Sequence, residues 1–225
     1  MSTNTLPLNK TIDHTLLKAE ATPAQIIQLC QEAKKYQFFS VCVNSSMVKT
    51  AALELRDSGV LVCTVVGFPL GAMSTKAKAF ETKCAIEDGA GEIDMVINLG
   101  MAKSGQWDEL QKDIEEVVKA AHPKRVKVIL ETCLLTDDEI KKASLASLKA
   151  RAHFVKTSTG FSTGGATPHA VELMKSVVTD QMEIKASGGI RDLETAKMYL
   201  NMGVTRLGTS SGVLLMEGKI AESGY

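Results

Sequence analysis

A recurrence constrains this chain more than any other feature. Eight short segments rich in β-branched residues begin at intervals of 23 to 33 residues, each ended by polar or glycine-rich sequence. They are TIDHTL from Thr11, FFSVCVN from Phe38, LVCTVVGF from Leu61 and EIDMVIN from Glu92, then RVKVILET from Arg125, HFVKTSTG from His153, MEIKAS from Met182 and TRLGTS from Thr205. Helix signals lie between them. Thr22-Pro23 and Thr167-Pro168 each offer a hydroxyl cap followed by proline at the first helical position. Thr136-Asp137-Asp138-Glu139 reads as a capping box, and Gly59, Gly89 and Gly203 stand where a left-handed closing residue is wanted. Trp107, Leu110, Ile114, Val117 and Val118 form one apolar stripe at helical spacing.

Strand–helix alternation forces parallel strands, because each helix must carry the chain back before the next strand begins. Eight such units use nearly all 225 residues, so residues 1–225 are expected to form one domain with no linker. The predicted fold is α/β, a single-domain (β/α)8 TIM barrel. A doubly wound open sheet is the competing arrangement, but the GxGxxG turn that would favour it is absent after the first strand.

Barrel strands are covered on both faces and should read as nearly continuous apolar runs. Four of these do not. In Glu92–Asn98, the residues Ile93, Met95 and Ile97 oppose Glu92, Asp94, Val96 and Asn98; in Arg125–Thr132, Val126, Val128 and Leu130 oppose Arg125, Lys127, Ile129 and Glu131. Lys156 shares a face with Phe154 and Ser158, and Lys185 shares one with Glu183 and Ser187. The period of two assigns the apolar sets to the helix layer and turns the charged sets inward. Asp94, Lys127, Lys156 and Lys185 should therefore converge on one cavity. Buried charge is costly unless paired, and three lysines against few acids make a poor salt-bridge core. An active site at the carboxyl ends of the strands explains them better. A lysine crowded by a second ammonium and apolar walls can act as a neutral amine and form an imine with a carbonyl. Asp94 and a second lysine could then move protons. Spacing alone leaves open which lysine bonds to substrate.

Three consecutive strand ends run into small, donor-rich sequence: Thr157-Ser158-Thr159-Gly160, Ser187-Gly188-Gly189 and Gly208-Thr209-Ser210-Ser211-Gly212. Glycine admits close backbone approach, and successive N–H groups can cradle phosphate, a frequent use of the last two strand ends of a barrel.

Composition narrows the function classes. Lysine and arginine total 26, matching 26 acidic residues, with no basic face or acidic tail. Nucleic acid and anionic membranes are thus not expected partners. No apolar run is long enough to span a bilayer, and MSTNTLPLNK lacks the apolar stretch of a signal peptide, so a cytoplasmic location is expected. Cys30, Cys42, Cys63, Cys84 and Cys133 are an odd, scattered set that reads as reduced thiols, and the four histidines show no i, i+4 metal pair. No metal and no cofactor is expected.

The motifs IDHTLL, VVGFPLG, EIDMVIN, FVKTSTGF, KASGGIR and RLGTSSG, in this order from Ile12 to Gly212, resemble the deoxyribose-phosphate aldolase family of the short bacterial type. The resemblance implies a metal-free class I aldolase that reversibly cleaves 2-deoxy-D-ribose 5-phosphate to glyceraldehyde 3-phosphate and acetaldehyde in deoxynucleoside catabolism. It places the Schiff base on Lys156 and the proton-transfer pair on Asp94 and Lys185. Lys127 matches a further active-site lysine, and Gly188, Gly189, Ser210 and Ser211 match the phosphate pocket, with Thr157 and Gly160 beside them. Cys42 and Tyr225 are candidate substrate contacts, Tyr225 by folding back from the tail. The implied partner is a small phosphorylated sugar, and the implied assembly a homodimer or higher homo-oligomer. Two residues depart from the family pattern. Ser45 replaces a proline after CVN, and Phe161 stands where some relatives carry a phosphate-binding lysine. The residues would also suit a Schiff-base aldolase with a keto donor, or a noncatalytic sugar-phosphate binding barrel.

Overall fold

The computed structural model describes residues 6–221, so Tyr225 lies outside the described residues. The chain runs β1 (Ile12–Leu16), α1 (Pro23–Tyr36), β2 (Ser40–Val43), α2 (Val48–Glu54), β3 (Leu61–Val66), α3 (Thr75–Glu87), β4 (Glu92–Val96) and α4 (Leu99–Lys103). It continues α5 (Trp107–Ala121), β5 (Arg125–Ile129), α6 (Asp137–Lys149), β6 (Phe154–Lys156), α7 (Pro168–Val178), β7 (Glu183–Ser187), α8 (Leu193–Asn201), β8 (Arg206–Thr209) and α9 (Gly212–Met216). All eight strands pair in parallel in chain order, and β8 closes on β1 through Ile12↔Leu207, Asp13↔Gly208 and His14↔Thr209. The eightfold recurrence is thus a closed (β/α)8 barrel.

Local chemistry sets the helix ends as the residue types demand. Thr22 and Thr136 each complete a capping box, with Gln25 and Glu139 returning the bond, and Thr167 accepts from the Ala170 N–H. Gly59, Gly89 and Gly203 take φ of +76°, +112° and +96°, the left-handed region in which a side chain is strained. In α5, Leu110, Ile114 and Val117 are fully buried, with Trp107 and Val118 packed at the edge of the same core.

Strand faces divide as the period of two requires. Ile12, Ile93, Met95, Val126, Val128, Val155, Ile184, Ala186 and Leu207 pack against the helices in one large apolar cluster. A smaller cluster of Leu17, Cys42, Cys63 and Val65, with Phe68 packed on it, forms separately beneath the barrel mouth. The sixth strand is shorter than its sequence suggests. Beyond Lys156 the Thr157 N–H still donates to Lys185 O, and the Thr157 hydroxyl adds cross-strand bonding, donating to Ser187 O and accepting from Ser187 N–H, both at 3.1 Å. Glu131 captures Thr159 through both its N–H and its hydroxyl, so the chain leaves the ladder there.

Candidate active site

Lys127, Lys156 and Lys185 reach the interior from β5, β6 and β7, and Asp94 meets all three from β4. The Asp94 Oδ1 accepts from Lys127 Nζ at 2.9 Å, while its Oδ2 accepts from Lys156 Nζ at 2.7 Å and Lys185 Nζ at 2.8 Å. Strand register explains the convergence. Asp94 is the neighbour of Lys127, and Lys156 is the neighbour of Lys185. The two pairs are offset by two residues, since Lys127 is the neighbour of Phe154, and the period of two keeps all four side chains on the lumen face.

A second layer of charge supports the first. Asp13 on β1 binds Lys185 at 2.5 Å, Arg206 at 2.9 Å and the Ser40 hydroxyl at 2.7 Å. Glu92 binds Arg206 at 2.8 Å and Lys127 at 2.5 Å. The Arg206 guanidinium lies 3.4 Å from the Phe39 ring centroid and 5.3 Å from that of Phe154, a stacking contact suited to its flat, weakly hydrated head. Asp13, Cys63 and Arg206 went unassigned in the sequence reading. Their signal was the same alternation along the strand, but Asp13 sits beside the polar His14 and Thr15, where no apolar set marks the face.

These contacts fix charge states. Burial alone would push Asp94 toward its neutral form, yet Lys127, Lys156 and Lys185 hold its carboxyl well below the usual range. Burial likewise opposes the charge on Asp13, but Arg206, Lys185 and Lys127 hold that carboxyl low. Burial works against the Lys185 ammonium, and Asp13 and Asp94 more than offset it, raising its proton affinity well above an ordinary lysine. Lys127 is raised in the same way, with Asp94, Cys63, Glu92 and Asp13 overcoming its desolvation. The ion-paired cluster therefore sets three buried carboxylates, Asp13, Glu92 and Asp94, against four buried cations, Lys127, Lys156, Lys185 and Arg206, while the buried Glu131 is bound by Thr159 at the strand end. Among the described residues Lys127, Lys185 and Arg206 each pair with at least two of these carboxylates, whereas Lys156 pairs with Asp94 and shares that oxygen with Lys185. Lys156 thus has fewer carboxylate partners than the other three cations of this cluster.

Cys42 and Cys63 are register neighbours on β2 and β3, both buried. A hydrogen bond from Cys63 lowers the Cys42 thiol below its usual value, whereas burial raises Cys63 well above it. The Cys63 thiol lies 3.1 Å from Asp94 Oδ1. Cys42 thus lines the wall beside the lysines. The two sulfurs and an Asp94 oxygen lie within 4.8 Å of one another, but that carboxylate already serves three ammonium groups, so a metal cation would enter against them.

At the ends of β7 and β8 a small concavity is lined by Gly188, Gly189, Ile190, Arg191, Gly208, Thr209, Ser210 and Ser211. Gly188 and Gly189 both take φ of +83°. A side chain at Gly165 would collide with Gly188 O at 2.3 Å, so the two loops interlock only as glycines. Gly188, Gly189, Ser210 and Ser211 come together here. Thr157 and Gly160 do not line this concavity; Thr157 is buried beneath, bracing β6 to β7.

A closed barrel whose lumen holds lysines gathered on one carboxylate, with a glycine- and serine-lined concavity at the ends of its last two strands, is an arrangement suited to lysine-centred barrel aldolases. Residues 6–214 match the family model described as DeoC/LacD family aldolase, and the chain belongs to that family. It is 58% identical over 220 residues to the deoxyribose-phosphate aldolase of Bdellovibrio bacteriovorus, covering 98% of this chain and all of that one. The crystal structure of a putative deoxyribose-phosphate aldolase from Coccidioides immitis superposes with a TM-score of 0.92 at 41% identity, covering 93% of this chain and 84% of that one. A deoxyribose phosphate aldolase from Aeropyrum pernix, described as a unique tetrameric structure, gives 0.88 at 34% identity over 93% of this chain and 89% of that one. No helix among the described residues is long and apolar enough to cross a membrane.

Proposed function

We propose that this chain reversibly cleaves 2-deoxy-D-ribose 5-phosphate to glyceraldehyde 3-phosphate and acetaldehyde, through an imine on Lys156. One observation carries the reading: Lys156 and Lys185 share a single oxygen of Asp94 inside the closed barrel, beside the nest of β7 and β8. The substrate phosphate sits in that nest, held by backbone donors and the Ser210 and Ser211 hydroxyls. The Lys156 amine adds to C1, and loss of water gives a protonated imine. That cation draws the electrons of the C2–C3 bond toward itself as the C3 hydroxyl gives up its proton, releasing glyceraldehyde 3-phosphate and leaving an enamine. Protonation at C2 and addition of water return acetaldehyde and the free amine. Lys185, held cationic, supplies protons, and Asp94, held ionised, accepts them and orients both amines. Lys127 satisfies Asp94 and Glu92 so that Lys156 need not. The reaction requires neither metal nor cofactor.

The thiols are free in all five cysteines, which fits a reducing cytoplasmic setting. A homo-oligomer is the assembly we infer, supported by likeness to the tetrameric Aeropyrum pernix protein and testable by light scattering. The activity is tested by following glyceraldehyde 3-phosphate release from 2-deoxyribose 5-phosphate. Turnover is expected from the unaltered chain, with a loss of at least 10³-fold in Lys156→Met. No turnover, or a Lys156→Met variant within tenfold of the parent, overturns the proposal.

A further inference from the structure

Two aromatic rings meet above the barrel mouth, from loops that follow strands well separated around the ring. Phe68, just past β3, and Phe161, just past β6, contact edge to face with centroids 5.2 Å apart. Their strands are three places apart in a ring of eight, so the contact spans the two strands between them, β4 and β5.

Both loops are braced. The Gly67 N–H donates to Glu81 Oε2 and the Ser45 hydroxyl to Glu81 Oε1, each at 2.9 Å. The Gly71 N–H closes the loop on Gly67 O at 2.7 Å, and a side chain at Gly71 would lie 1.8 Å from Ile97 O. Phe68 is thus held between two glycines that cannot be replaced without moving the loop. Ser45 has a role in this brace through its bond to Glu81. On the other side, the Phe161 N–H donates to the Thr159 hydroxyl at 3.0 Å, and that hydroxyl is held by Glu131.

We propose that the Phe68–Phe161 pair is a donor-selectivity gate, closing the side of the Lys156 site that faces away from the phosphate nest and restricting the donor to aldehydes over ketones. The inference rests on the aldolase reading above. With phosphate at the ends of β7 and β8, the sugar chain approaches Lys156 from that side, and C2 of the imine points back toward it. The remaining substituent on C1 points to the opposite wall, where β3 stands four places from β7. That wall is the apolar cluster of Leu17, Cys42, Cys63 and Val65, roofed by Phe68. An aldehyde places a hydrogen there, whereas a ketone must fit a methyl group or larger under the roof. Tight packing penalises added methyl groups strongly when the neighbours cannot relax, and the braced Phe68 loop cannot.

The test is the synthetic direction with glyceraldehyde 3-phosphate as acceptor and equal concentrations of acetaldehyde and acetone, the two products being separated by mass. Each protein's product ratio is its own reference, so a general loss of activity cancels. Phe68→Ala should raise the acetone-to-acetaldehyde product ratio at least tenfold, and Phe161→Ala at least threefold. Phe68→Leu, which keeps an apolar side chain on the loop, should fall between Phe68→Ala and the parent and serves if Phe68→Ala does not fold. Ratios within twofold of the parent in the folded variants, with the parent active on acetaldehyde, overturn the gate alone. No acetaldehyde product from the parent overturns both the gate and the aldolase reading.

Discussion

Asp94→Asn and Lys127→Met act at the two ends of one 2.9 Å contact, yet the charge pattern makes them unequal. Asp94→Asn leaves two carboxylates of the cluster facing four cations and removes the partner of Lys156. Breaking a buried pair from one side costs about 3–5 kcal/mol. At about 2–4 °C per kcal/mol for a chain of this size, Tm should fall by roughly 6–20 °C. Lys127→Met instead leaves three carboxylates and three cations. Glu92 keeps Arg206, and Asp94 keeps Lys156 and Lys185, while the unbranched thioether fills the lysine's path. We expect it to cost no more than about 1.5 kcal/mol, the scale of a volume-conserving core change. Activity should not follow stability. In Lys127→Met the remaining cations must all serve the carboxylates, which commits the Lys156 amine to charge compensation instead of attack. Turnover should therefore fall by on the order of 10²-fold, while the Asp94 variant loses about 10²–10⁴-fold through its proton-transfer role. Calorimetry and the cleavage assay on the same preparations decide the matter. A Lys127→Met protein that melts as low as Asp94→Asn, or that turns over like the parent, refutes the charge-balance reasoning.

Lys78 and Asp113 form a fully buried pair at 2.7 Å between α3 and α5, and Lys78 also donates to Val96 O at 2.9 Å. Lys78→Met should destabilise by about 3–5 kcal/mol in urea titration, with much of that recovered in the Lys78→Met/Asp113→Leu double variant; a double variant weaker than either single one would count against it. Ser210→Asp places a negative charge in the β7–β8 nest and should raise KM for 2-deoxyribose 5-phosphate at least tenfold while leaving cleavage of unphosphorylated deoxyribose little changed; equal effects on both would remove the nest from phosphate binding. The pH dependence of stability follows from the interior charges. Asp13 and Asp94 are depressed in the folded state, so their contribution is present above the unfolded value of 3.8 and is lost as pH falls below it. Lys127 and Lys185 are raised, so theirs is complete below 10.5 and lost as pH climbs beyond it. The urea midpoint of Asp94→Asn should accordingly fall less steeply below pH 4 than the parent's, and identical acid limbs would contradict the assignment.

The barrel and the heart of the site were legible because both are periodic. Recurrent strands, capped helices and a two-residue alternation suffice to close eight strands and turn Asp94, Lys127, Lys156 and Lys185 inward. Asp13 was harder to read, since its strand places His14 and Thr15 beside it and both are polar. The pull of Arg206 toward Asp13 and Glu92 depends on β8 closing against β1, a contact between the two ends of the chain. The Thr157–Gly160 segment reads as a donor-rich strand end, yet Thr157 is committed to Ser187 and Thr159 to Glu131. Side-chain bonding of this kind has no sequence period. The meeting of Phe68 with Phe161, and the brace from Ser45 through Glu81, likewise belong to loops whose paths only the folded barrel determines.

Borohydride added to the protein with acetaldehyde, followed by peptide mapping, reads the central claim directly. Reduction should leave a two-carbon adduct on Lys156 alone, at one per chain, and none in Lys156→Met. A stable adduct on Lys127 or Lys185, or none anywhere in an active preparation, would contradict the mechanism.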